Sequence, residues 1–141
     1  MAEIPGPGDL SDEGPQHVIL EIDATQFLDV VHKYAVDGPQ STIDIPMGST
    51  ILCAKAMPDA TIKIWARRPI DENAPLCSIG VWVFATGQPM PNEKTADLTY
   101  LDTVTIIRRA AIVTPNASPE VLIFHVFLLT DTLNAGNVKL G

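Results

Sequence analysis

The chain reads as a series of short apolar runs broken by proline and glycine. T-I-K-I-W-A-R (61–67) sets Ile62, Ile64 and Ala66 against Thr61, Lys63, Trp65 and Arg67. That period of two predicts a strand with one buried face. H-V-I-L-E-I (17–22) is rich in β-branched residues and predicts another strand. The next piece admits two readings. D-A-T-Q (23–26) has the form of a helix capping box, and Phe27, Val30, Val31 and Tyr34 would then share a helical face. V-V-H-K-Y-A-V, ending in D-G-P, is equally good as a strand; a short turn and then a strand over about 29–36 is the favoured reading.

Punctuation is clearer beyond this point. S-T-I-D-I ends at Pro46, and M-G makes a turn into S-T-I-L-C-A-K-A, which stops at M-P-D-A. P-I-D-E-N-A-P-L is a loop. C-S-I-G-V-W-V-F-A-T is a long strand with Gly80 inside it, a candidate bulge. After the loop G-Q-P-M-P-N-E-K-T-A-D come Y-L-D-T-V-T-I-I, A-A-I-V and the turn T-P-N-A-S-P-E. V-L-I-F-H-V-F-L-L-T (121–130) then reads as the last strand, apolar on both faces because both are covered. These elements predict an all-β fold, a compact antiparallel sandwich or barrel, with a jelly-roll-like arrangement among the options. Residues 1–15, acidic and rich in proline and glycine, are expected to be a flexible arm. One β domain is expected over 16–131, with a C-terminal tail at 132–141.

Composition narrows the functional classes. The formal net charge is -8 and the charged fraction 18% against 46% hydrophobic. Phosphate binding rests on clustered Lys and Arg, so a nucleic-acid partner is not expected. The only tight basic pairs are Arg67-Arg68 and Arg108-Arg109, placed where strands end. Low charge with many apolar residues points to extra buried surface at a subunit interface. The first residues lack the basic start and apolar centre of a signal peptide, and the run at 121–130 is about half a membrane helix. Neither export nor membrane insertion is expected. Cys53 and Cys77 read as reduced thiols inside strands.

No catalytic constellation stands out. His17, His32 and His125 lack partners at the short spacings of zinc motifs, and no metal or other cofactor is expected. There is no GxSxG elbow and no phosphate loop. The carboxylate pairs Asp12-Glu13 and Asp71-Glu72 lie in loop-like stretches and read as solvated surface. His125 shares a strand face with Ile123 and Phe127. With Phe124, Phe127 and Trp65 it reads as a buried or interface residue: largely buried, with a protein partner on at least one ring nitrogen. The loop T-G-Q-P-M-P is the most distinctive segment outside the core. Gly87 permits positive φ, and Pro89 and Pro91 stiffen the chain after it. It reads as a rigid connector, or as an interface or ligand loop in which Thr86 and Gln88 sit beside Trp82.

The succession H-K-Y-A-V, S-T-I-D-I-P-M-G-S-T-I-L, I-K-I-W-A, F-A-T-G-Q-P-M-P, Y-L-D-T-V and I-F-H-V-F resembles a family of small phage- and prophage-encoded proteins. That family is known as a domain of unknown function. The likeness covers roughly residues 32–127. Two departures are an arm of about thirty residues in front and Asp102 where a glycine is usual. The resemblance implies a phage origin and a compact β domain, and it transfers no catalytic residue.

The expected function is therefore non-enzymatic. The chain reads as an oligomeric structural or accessory domain of a phage particle, such as a head decoration, with itself and other virion proteins as partners. It would be made in the host cytoplasm and carried in the virion. The alternative is an intracellular phage binding module that sequesters a small molecule or blocks a host protein.

Overall fold

The computed structural model describes residues 29–108 and 118–141. The expected arm, the strand at 17–22, the D-A-T-Q segment, A-A-I-V and most of T-P-N-A-S-P-E lie outside those residues, as do His17, Asp12-Glu13 and Arg109.

Two four-stranded sheets make a sandwich. Numbered along the chain, one sheet holds β1 (Asp29–Val36), β4 (Ile62–Pro69), β3 (Thr50–Ala56) and β8 (Lys139–Leu140), in that spatial order. The other holds β2 (Gln40–Pro46), β5 (Leu76–Ala85), β7 (Glu120–Leu129) and β6 (Leu98–Arg108). Pairing is antiparallel except for the short β3–β8 contact. The two sheets stay separate, so the architecture is a sandwich and not a barrel. The strand reading of 29–36 holds, in full register with β4.

Period-two alternation builds the core. Ile43 and Ile45 on β2, Ile51 on β3, Ile62, Ile64 and Ala66 on β4, Ile79 and Val81 on β5, and Val126 and Leu128 on β7 meet in one cluster between the sheets. β-branched chains suit this layer because their stiff χ1 fits the pleat. The turn after β2 closes at Pro46, where the Ser49 amide donates to the Pro46 carbonyl and Gly48 takes φ +79°.

Three expectations need correction. The C-terminal segment is not a tail. It carries helix α1 (Thr130–Ala135) and then β8, because Leu133 and Val138 have core to join. Asn137 at φ 53° ends the helix, and the Val138 amide returns to the Leu133 carbonyl. Gly80 is not a bulge, since β2 and β5 keep register through it. It is glycine because Leu129 lies across it: a Cβ there would come within 2.4 Å of the Leu129 side chain. Its N–H donates to Thr132 Oγ1 at 3.1 Å, so α1 takes over the edge of β5 where β7 stops. The β7 stretch is not covered on both faces: Val121 and Ile123 stand exposed on the outer side of the sheet.

Register shifts fall at Ile51/Cys53 and at Tyr100/Asp102. The second aims Asp102 from β6 across to the opposite sheet. Its Oδ2 accepts the Ala54 amide of β3 at 3.1 Å, and its Oδ1 accepts the Thr103 amide at 2.9 Å. A carboxylate thus does for Ala54 what a neighbouring strand would do, and it ties the seam between the two sheets. Asp102→Ala should cost about 1–2 kcal/mol in urea unfolding, because the part-buried Ala54 N–H loses its acceptor. A second position predicts the opposite sign. Ala60, in the β3–β4 turn, sits at φ 66°, where a Cβ is strained. Ala60→Gly should stabilise by about 0.5–1 kcal/mol, the relieved strain exceeding glycine's added unfolded-state entropy.

Candidate functional site

The outer face of the second sheet gathers most of the residues singled out from sequence. β5 and β6 flank β7, and both run antiparallel to it. β5 ends beside Phe124, and β6 begins beside Leu129. The chain between them must return along about 17 Å of sheet. The inner face is filled by core, so residues 86–97 run back over the outer one. This accounts for Phe84, which points outward yet is 6% exposed and stands outside the inter-sheet cluster.

On the same outer face lies an aromatic ladder. Trp82 meets Phe84 edge-on at 6.3 Å, Phe84 meets Phe127 at 5.9 Å, and Phe127 meets Tyr100 at 5.5 Å. Such contacts add about 0.5–1.5 kcal/mol each beyond area burial. Beside the ladder runs a polar chain. His125 Nε2 meets Thr86 Oγ1 at 2.8 Å, and Nδ1 meets Thr103 Oγ1 at 3.1 Å. Thr103 Oγ1 in turn meets the Tyr100 hydroxyl at 2.6 Å.

His125 lies on an outer face of the sheet and is partly buried there. Both ring nitrogens have protein partners. Each partner is a threonine hydroxyl, which can donate or accept, and among the described residues no carboxylate bonds the ring. The Thr86 hydroxyl ties the start of the crossover to β7. The contacts hold the ring between β6 and the crossover.

Gln88 of the T-G-Q-P-M-P loop and Trp82 face different ways. Gly87 (φ +88°) makes the turn, in which the Gln88 amide donates to the Ala85 carbonyl. Gln88 Oε1 accepts the Ala85 N–H at 3.0 Å, and the side chain faces the end of the sandwich. Trp82 points out of the sheet, beside Gln40 and Phe127. Pro89 is exposed and Pro91 half-buried. Phe124 points inward against the core, one residue out of phase with His125. Trp65 stands on the other sheet's outer face, half-buried beneath Lys33, whose Nζ lies 5.8 Å from the ring centroid. Its Nε1 is buried with no partner among the described residues.

Cys53 and Cys77 are free thiols. Burial, and then the charge of Asp44, pushes the Cys77 thiol up from its ordinary value of 9.0. Its Sγ reaches the Ile45 carbonyl at 3.4 Å, and Gly136 of the α1 terminus crosses above it, where a Cβ would meet the sulfur. Among the described residues no group of three or more His, Cys, Asp or Glu is placed to hold a metal ion, and no helix is long and apolar enough to cross a membrane.

A family profile described as a domain of unknown function, DUF7352, matches residues 28–135. The chain belongs to this family. No curated protein and no solved structure matches it. The DUF7352 span starts one residue before β1 and ends with α1, so the closing helix is part of the family's unit and the two-residue β8 lies beyond it. Sequence reasoning missed α1, whose only signals were Asp131 in the first turn and the Gly136-Asn137 ending.

Two outcomes are expected from this geometry. His125→Phe should keep the fold, lose about 1 kcal/mol, and speed deuterium exchange at the Thr86 amide, because both hydroxyl tethers go. Cys77 alkylation should stay slow until the pH is well above 9. A raised folded-state pKa keeps the thiol neutral while the unfolded chain ionises first, so stability should also fall as pH climbs past 9.

Proposed function

We propose that this DUF7352 protein is a non-enzymatic structural or accessory protein of a phage particle, an oligomeric β domain of the head-decoration kind. One observation carries the oligomeric part. At the β6 corner of the second sheet, Ile107 is 61% exposed, Val121 56% and Ile123 41%. They neighbour one another across the β6–β7 ladder. The crossover leaves this corner bare, and the corner adjoins an edge strand of the sheet. A contiguous apolar corner beside an edge is what a subunit contact would use.

The phage part is supported by the succession of motifs described from sequence. The partners would be further copies of this chain and other virion proteins. An acidic chain of net charge -8 is poorly suited to nucleic acid. The chain would be made in the host cytoplasm and end in the particle.

Light scattering behind size exclusion tests the first part. The wild-type protein at micromolar concentration should be oligomeric. Ile123→Asp, at an exposed position, should keep the circular-dichroism spectrum and drop to a smaller species. Mass spectrometry of purified particles tests the second. A monomeric wild type together with absence from particles would sink the proposal.

A further inference from the structure

Among the described residues, the sandwich core is open at one end. Of the residues in the inter-sheet cluster, Ile62, Val83 and Ile106 are the most exposed, at 8%, 8% and 9%. All three line one cleft between the sheets, of about 340 Å³. Val36 adds a wall from β1 and Phe124 one from β7, and Gln88 stands at the rim. Gly38, at φ +95°, lines the cleft, and a Cβ there would meet nothing within 4 Å. Among the described residues no charged side chain lines the cleft.

Two polar side chains line the cleft: Thr61, whose hydroxyl donates to Asp59 Oδ1 at 2.6 Å, and Gln88 at the rim. Gln88 Oε1 is taken by the Ala85 N–H. That bond fixes which end of the amide faces away from the turn, and the NH₂ group remains as a donor without a partner among the described residues. The size falls at the low end of small-molecule sites, which are apolar with a few placed polar groups. Wet core-grade walls gain from displacing water, and the donor selects a ligand with an acceptor. An anion would meet neither a cation in the lining nor a favourable field from a chain of net charge -8.

We propose that this end cleft is a binding site for a small neutral apolar molecule carrying one hydrogen-bond acceptor, such as a medium-chain ketone, ester or amide, with its hydrocarbon against Ile62, Val83 and Ile106 and its acceptor on the Gln88 NH₂. The site lies between the sheets and does not depend on the oligomeric reading of the outer face.

The test uses the neutral dye N-phenyl-1-naphthylamine with full-length protein. Its fluorescence should rise and saturate at one dye per chain, and 2-octanone should displace it. Gln88→Glu replaces the donor with acceptors. It should weaken displacement by 2-octanone roughly five- to tenfold while changing dye affinity less than about twofold, the worth of one hydrogen bond. Val36→Trp and Thr61→Trp should each abolish dye binding by filling the cleft from the wall and from the mouth. Thr61 is exposed, so its variant should keep the wild-type melting temperature even if the Val36 variant does not. No saturable dye signal in the wild type would overturn the proposal. So would full dye binding in a folded Thr61→Trp protein, or equal displacement by 2-octanone in wild type and Gln88→Glu.

Discussion

Everything in this domain depends on one apolar layer, the isoleucines and valines pressed between two twisted sheets. Ile45, Ile51, Ile64, Ile79, Val81, Val126 and Leu128 come from five strands spread over the chain. Neither sheet could bury its inner face alone, and at about 25 cal/mol per Å² that burial is the dominant favourable term. The rest is arranged around it. α1 and β8 close one end by adding Leu133 and Val138 to the layer. Asp102 closes one seam with a carboxylate. At the opposite end, among the described residues, a cleft reaches the layer.

The two faces of β7 show how one strand serves different purposes. Its even-numbered residues, Phe124, Val126 and Leu128, belong to the core or pack against it. Its odd-numbered residues, Val121 to Leu129, face out, and their neighbours divide them. Phe127 is held in the aromatic ladder, His125 is clamped by threonines, and Val121 and Ile123 are bare. Same-face neighbours in a strand sit two residues, or about 7 Å, apart, so a single face has room for three environments.

The strands were legible because period two and the Pro/Gly breaks are local signals. T-I-K-I-W-A-R and S-T-I-D-I-P-M-G carry their own edges. α1 was not legible: six residues give too few turns for a helical period to show, and its order comes from Leu133 reaching a core built by distant strands. Gly80 reads as a bulge because sequence cannot show Leu129 lying across it. His125 is only partly legible for a related reason. Period two says which residues share its face but not whether that face is covered, and the cover is a crossover whose path depends on strand order. Trp82 and Gln88 are six residues apart in sequence and end on different surfaces, one on the sheet and one at its end.

The strand order has a consequence for synthesis. β7 is the last long strand to be made, yet it lies in the interior of its sheet, between β5 and β6. Until it leaves the ribosome, β5 has β2 on one side and an unfilled slot on the other, and β6 has no neighbour in the sheet at all. Vectorial folding cannot finish the second sheet from the N-terminal side. A nascent chain stopped before residue 120 would present an unsatisfied β5 edge to its neighbours on a polysome, where like edges are close together.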